Sequence, residues 1–374
     1  MPPTRMIAGC MTGTSLDGLD AVLTETKGRG FNLKARFVHR VARPLGELGA
    51  VLRRLASGEP APAIEYARAA RRLGKLHAEA LEALCREASV PRLDLIAAHG
   101  QTICHAPAER LSFQLLDPWP MARRLLAPVV LDLRQADLAA RGEGAPITPL
   151  ADWLVFRQAA AARLVVNLGG IASITHLPAG ASPDGIAARD VGPCNLLIDG
   201  VARALDPALA FDQDGRLAAR GTATELVWER LQALPSLAQG RSTRSLGRED
   251  FQDAWIRDLV AEARAAGRSP EDIIAGAVEA VARLVALAVQ GSGSPEVVLA
   301  GGGARNPVLV DRIRASCTSA PGVVLSDTLG VPAEAREGLC LAVLGALAQD
   351  GFPITLPQVT GARAPGSAGA WVYP

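Results

Sequence analysis

A strand that breaks into a small-residue turn and re-emerges as a second strand occurs twice in this chain of 374 residues. The first copy runs Met6-Ile-Ala-Gly-Cys-Met-Thr-Gly-Thr-Ser-Leu-Asp-Gly-Leu-Asp20 and continues into Ala21-Val-Leu-Thr-Glu25. The second is Arg163-Leu-Val-Val-Asn-Leu-Gly-Gly170, followed by Ile171-Ala-Ser-Ile-Thr-His-Leu177. Each opens one half of the chain, and each reads as strand, turn, strand. A chain of this length also exceeds what one compact core normally fills and suggests two domains, or one large α/β unit. Two related lobes with a cleft between them satisfy both observations.

Elsewhere strands alternate with helices. Phe31–Val41 alternates as a third strand, with Phe31, Leu33, Ala35 and Phe37 on one face. The stripe Ala67, Ala70, Leu73, Leu76, Ala80 and Leu84 predicts a long helix over Ile64–Ala88. Leu93–Ala98 and Val129–Leu133 read as short strands. The first ends at His99-Gly100-Gln101-Thr102, and the second precedes a Gly-rich segment, Arg141–Pro149. Helices are expected over Asn195–Leu205, Thr224–Leu234, Arg248–Ala266 and Pro270–Gln290. Then come a strand at Pro295–Ala300, the turn Gly301-Gly302-Gly303 and a helix over Asn306–Ser316. A strand at Val323–Ser326 and a helix over Ala333–Ala348 close the unit, and the Gly/Pro/Ala-rich tail from Val359 is expected to be extended or looped. The expected class is α/β, with residues 1–132 plus the tail 355–374 as a first lobe and 133–354 as a second.

With 39 basic and 38 acidic residues, net charge +1, nothing points to nucleic acid or an anionic membrane as partner. Arg53-Arg54 and Arg71-Arg72 lie in helical patterns and read as solvated faces. The six cysteines are scattered without a Cys-x-x-Cys pair, which argues against a zinc site or a disulfide framework. The N-terminus lacks an apolar signal core, and charges interrupt every long apolar stretch. A soluble, cytoplasmic protein is expected.

Turns of this kind can cup a phosphate in backbone amides while a carboxylate faces a hydrated divalent cation. The first turn offers Asp17 and Asp20 for that role. An ordinary Gly-rich hairpin fits the same residues. The third turn, Gly301-Gly302-Gly303-Ala304-Arg305-Asn306, lies between strand and helix, where a nucleotide can approach bare backbone. A tight connection is the plain alternative. Neither a Walker A loop nor a Gly-x-Gly-x-x-Gly after the first strand is present, which argues against P-loop and Rossmann sites.

The ordered set of motifs resembles the actin-like ATPase and sugar-kinase superfamily, and within it the 1,6-anhydro-N-acetylmuramic acid kinase family over nearly the whole chain. The matching stretches are Met11-Thr-Gly-Thr-Ser-Leu-Asp-Gly-Leu-Asp20, His99-Gly-Gln-Thr102, Gly144-Ala-Pro146, Asn167-Leu-Gly-Gly-Ile-Ala-Ser173 and Asp190-Val-Gly-Pro-Cys-Asn195. Ala300-Gly-Gly-Gly-Ala-Arg-Asn-Pro307, Ala335-Arg-Glu337 and Val359-Thr-Gly-Ala362 complete it. The resemblance implies two actin-like (RNase H-like) lobes with an interlobe active-site cleft, ATP with Mg²⁺, and hydrolytic opening of an anhydro amino sugar coupled to phosphorylation of its O6. It places the nucleotide on Gly13, Thr14, Ser15, Leu16, Asp17, Gly18, Leu19, Asp20, Gly169, Gly170, Gly301, Gly302, Gly303 and Asn306, with Asp17 toward the metal. It maps the catalytic base onto Asp190 and sugar contacts onto His99, Gln101, Thr102, Arg134, Asp137, Asn195 and Glu337. The expectation leaves room for a homodimer.

Taken alone, several of these residues have plainer readings. Asp190 in a turn before a helix also fits an N-cap, His99 fits a satisfied core histidine, and Arg134 with Asp137 fits a surface ion pair. Glu337 fits a surface contact on its helix, and the metal reading that His105 invites is discounted. The chain also departs from the family pattern. Val191 replaces a usual threonine, Cys194 replaces a glycine, and Arg141 and Glu143 alter a Gly-Gly-Gln-Gly run. Two other readings therefore stay open: a kinase for another anhydro sugar such as levoglucosan, and a non-enzymatic actin-like nucleotide switch.

Overall fold

A computed structural model describes residues 3–13, 16, 18–180, 182–235, 237, 253–294, 296–318, 320, 322–366 and 369–374. The chain divides into two compact units, Met1–Phe156 with Ala335–Pro374, and Arg157–Glu334.

In the first unit β1 (Thr4–Thr12), β2 (Gly18–Lys27) and β3 (Lys34–Pro44) form an antiparallel meander. β4 (Leu95–Ala98) pairs parallel with β1 on its other side. β5 (Gln101–Ala106) and β6 (Leu111–Leu115) make a separate hairpin, and β7 (Val129–Leu131) runs parallel to β4. The second unit repeats the plan. β8 (Arg163–Leu168), β9 (Ile171–Leu177) and β10 (Ala187–Pro193) form the meander, and β11 (Glu296–Ala300) and β12 (Gly322–Leu325) extend it in parallel. The sheet orders are β3-β2-β1-β4-β7 and β10-β9-β8-β11-β12, so the two hairpins echoed in sequence open two copies of one strand order. Apolar runs such as Leu95-Ile-Ala-Ala98 are buried on both faces, as parallel central strands require. Each unit has its own apolar core.

The division falls later than the expected 132/133 and earlier than 354/355, for a packing reason. Helix Arg336–Gln349 lies directly on the first sheet: a Cβ on Gly9 of β1 would stand 1.8 Å from the Gly338 carbonyl oxygen. Helix Pro149–Phe156 is tied to that helix by a buried ion pair, in which Arg336 Nε donates to Asp152 Oδ1 at 2.8 Å and Nη2 meets Oδ2. Residues 133–156 and 335–354 therefore belong to the first unit.

Other departures are local. Phe31 lies in a 3₁₀ turn, Gly30–Asn32, where its ring packs on Trp153 and Phe352, so the third strand starts at Lys34. The tail contains β13 (Ala370–Val372), antiparallel to β7. The expected starts at Arg248 and Pro295 lie outside the described residues, within which the elements are Asp253–Ala265 and Glu296–Ala300. Among the described residues, no helix is long and apolar enough to cross a membrane.

Candidate functional site

In both units the candidate residues leave the sheet at the carboxyl ends of the parallel strands, where open α/β sheets bind ligands. In the first unit these are the turn after β1, His99 after β4 and Arg134 after β7. In the second they are Gly169-Gly170 after β8 and Gly301-Gly302-Gly303 after β11.

The first turn is described only in part, and Thr14, Ser15 and Asp17 lie outside the described residues. Leu16 has a left-handed backbone (φ 57°) and donates from its amide to the Gly13 carbonyl at 3.2 Å. Its own carbonyl accepts from Arg53 Nη1 at 2.9 Å. Leu16 and Leu19 bury their side chains in the core, so only their backbone can meet a ligand. Gly18 begins β2 opposite Pro44. Asp20 faces the neighbouring strand, where Arg40 Nε donates to its Oδ1 at 2.7 Å; this carboxylate is committed to an ion pair within the sheet.

His99, Arg134, Asp137 and Glu337 come together in the first unit. His99 is only 3% exposed. Its Nδ1 lies 3.0 Å from the Gly100 carbonyl oxygen, and its Nε2 lies 2.9 Å from Arg134 Nε. Both ring nitrogens are thus engaged inside the protein, and the expected contact with a sugar is replaced by one with Arg134. Burial first, and then the Arg134 charge, hold the imidazole down to about 3. Arg134 Nη1 also donates to the Gly144 carbonyl at 2.7 Å. Burial pulls this guanidinium down to about 10 against the charge of nearby Glu337, so it stays cationic at neutral pH.

Asp137 is buried and fully occupied. Oδ2 accepts from the Gly144 amide at 2.8 Å and Oδ1 from the Thr360 hydroxyl at 2.7 Å. It therefore anchors the 141–149 loop, and the expected substrate contact at Asp137 is corrected to a loop tie. The role of Thr360, within Val359-Thr-Gly-Ala362, comes from a pairing 223 residues distant in sequence, which no local motif reveals. Gln101 donates from Nε2 to the Thr102 carbonyl at 3.2 Å, which orients the amide, and its buried Oε1 has no hydrogen-bond partner among the described residues. Thr102 donates to Gln114 Oε1 at 2.7 Å.

In the second unit Asp190 lies within β10 rather than in a turn, because residues 187–193 pair with β9. It stands opposite Ser173, and the register shifts between Asp190 and Gly192. Such a bulge re-aims a side chain and is common beside active sites. Asp190 remains half-buried while Val191 turns into the core. The helix that follows, Asn195–Leu205, is seated on the second glycine turn: the amides of Cys194 and Asn195 donate to the Gly170 and Gly169 carbonyls at 2.9 and 3.0 Å. Asn195 Nδ2 adds a bond to the Leu168 carbonyl at 3.3 Å. Asn306 caps helix Pro307–Ser316, its Oδ1 accepting from the Leu309 amide at 3.2 Å; its side chain is used by the helix rather than left for a cofactor.

The three glycines of the last turn are not equivalent. A Cβ on Gly301 would stand 2.6 Å from Asn167 Oδ1, and one on Gly303 would stand 2.9 Å from Asn195 Oδ1. Packing alone demands glycine at both. A Cβ on exposed Gly302 would meet nothing closer than Asn195 Nδ2 at 3.7 Å. Its bare backbone faces open space, which suits the approach of a nucleotide. Among the described residues, no three His, Cys, Asp or Glu side chains gather to hold a metal ion.

The departures from the family pattern also find places. Val191 and Cys194 are buried core residues of the second unit. Arg141 has φ 71°, a backbone that suits glycine better, just after helix Gln135–Ala139, and its side chain is exposed.

A family model described as anhydro-N-acetylmuramic acid kinase matches residues 5–374. Relatives bearing that name include a protein of Salinibacter ruber, 38% identical over 96% of this chain and 94% of its own length. One from a Synechococcus strain is 37% identical over 98% and 99% respectively. One from Bordetella avium is 34% identical over 100% of this chain and 97% of its own length.

Proposed function

The chain belongs to the anhydro-N-acetylmuramic acid kinase family, and from that premise we propose how its residues carry the reaction. The substrate is 1,6-anhydro-N-acetylmuramate and the products are N-acetylmuramate 6-phosphate and ADP, a step of peptidoglycan recycling. Asp190 takes a proton from water as the water oxygen bonds to C1 and the C1–O6 bond breaks. O6 leaves toward phosphorus, so no second carboxylate is needed to protonate it. ATP supplies the phosphoryl group, and Mg²⁺, with Asp17 as its candidate partner, would offset the phosphate charge.

The observation that carries this reading is the half-buried carboxylate of Asp190 at a strand bulge, ahead of a helix seated on the second glycine turn. Gly302 offers the nucleotide an open backbone. Arg134 offers a cation and Gln101 an acceptor for the sugar. A cytoplasmic location is part of the proposal, in keeping with six free cysteines.

Turnover in ¹⁸O water tests the chemistry. Label should appear at the anomeric carbon of product trapped before exchange, with phosphate on O6. Preference for a reducing sugar, with no label in the product, would instead mark a plain sugar kinase. ADP formation with levoglucosan but not with the muramate would move the assignment to another anhydro sugar.

A further inference from the structure

The bond between His99 and Arg134 has a fixed direction. The Gly100 carbonyl can only accept, so His99 Nδ1 carries the hydrogen. Nε2 is then the lone-pair nitrogen, and it accepts from Arg134 Nε at 2.9 Å. With Nη1 bonded to the Gly144 carbonyl, two separate bonds set the plane of the guanidinium. Nη2 makes no hydrogen bond among the described residues.

The charges around the ring enforce the same arrangement. Arg134 faces it directly, His105 on the β5–β6 hairpin adds a further repulsion, and Glu337 faces Arg134 rather than the ring. Protonating Nε2 would remove the acceptor and set two cations in contact. A planar cation held in this way matches a carboxylate better than a neutral hydroxyl.

We propose that His99 is a positioning residue whose Nε2 lone pair aims Arg134, so that Nη2 meets the carboxylate of the substrate's lactyl group. This rests on the reading above that Arg134 faces the sugar. The role also explains why a buried histidine follows β4: it acts through a neighbour.

The test compares 1,6-anhydro-N-acetylmuramate with 1,6-anhydro-N-acetylglucosamine, which lacks the carboxylate. His99→Ala should raise KM for the acid by roughly 10-fold, the scale of one charge-assisted hydrogen bond. KM for the neutral sugar, and kcat for both, should stay within about twofold on the same reasoning. His99→Gln, which can accept from Nε, should recover most of the loss. An equal rise in both KM values, or none for the acid, would overturn the proposal. Should His99→Ala not fold, His99→Gln and Arg134→Lys decide: Gln should keep the preference for the acid and Lys should lose it, and equal loss in both would count against the role. The ¹⁵N signature of the ring gives an answer without turnover. Nε2 should remain unprotonated at pH 5, and a protonated ring there would overturn the proposal. If the wild type turns over neither sugar, the functional reading falls, while the ¹⁵N signature still decides the role of His99.

Discussion

Asp137 and Thr360 are joined by a 2.7 Å hydrogen bond in which the threonine hydroxyl donates to the buried carboxylate. Since the other oxygen of Asp137 holds the Gly144 amide, the C-terminal segment indirectly supports the carbonyl that orients Arg134. Thr360→Val removes one of these bonds from a buried charge. It should cost about 1–3 kcal/mol in urea denaturation, the penalty typical of a buried acceptor left short of a partner. An unchanged midpoint would mean that water replaces the hydroxyl at no cost.

Asp190→Asn keeps the shape of the side chain and removes its basicity. Turnover should fall by ~10²–10⁴-fold while folding and ATP binding persist. Near-wild-type turnover in a folded variant would remove Asp190 from the role of base.

The unequal glycines separate packing from ligand approach. Gly302→Val should weaken ATP binding sharply in calorimetry while leaving the melting temperature nearly unchanged, because no protein atom crowds its Cβ. Gly303→Ala should lower the melting temperature, because its methyl would press on Asn195 and Leu168. Unchanged ATP affinity in Gly302→Val would make the whole turn a structural connection.

His77 predicts a pH dependence of stability. It is fully buried on helix Ala63–Glu87, its Nδ1 donating to the Leu73 carbonyl at 2.9 Å, and burial holds the ring at about 4. Its ordinary value is 6.5, so between the two the unfolded chain binds more protons and stability rises with pH. The contribution is fully present above pH ~6.5 and lost as pH falls toward 4, by about 2 kcal/mol at pH 5. His77→Leu should flatten this dependence in denaturation curves taken at pH 5 and 7.5. A variant as acid-sensitive as the wild type would place the loss elsewhere.

The doubled topology was legible because both hairpins combine apolar alternation with a glycine turn, a pattern local to the chain. Whatever depended on distant partners was not. Arg336 and Asp152 are ordinary helical residues until their buried pairing ties both flanking segments to the first unit. Asp190-Val-Gly-Pro read as a turn because glycine and proline usually punctuate one, yet pairing with β9 overrides that preference. Nothing local in sequence reveals that Thr360 and Gly144 hold Asp137 or that Arg134 holds His99, so there both residues look like groups facing a ligand. Asn306 directly before Pro307 carries a local signal for a helix cap, which the expected nucleotide contact did not use.

The two glycines between helix Arg336–Gln349 and the first sheet differ in how far mutation could ever explore them. A methyl on Gly338 would strike Val22 Cγ2 at 2.5 Å and Cβ at 2.8 Å, side-chain atoms that a second substitution, to glycine, can remove. A methyl on Gly9 would strike the Gly338 carbonyl at 1.8 Å, and no truncation elsewhere removes a backbone atom. Paired libraries should thus recover Gly338→Ala together with Val22→Gly, but return Gly9 as glycine in every active clone.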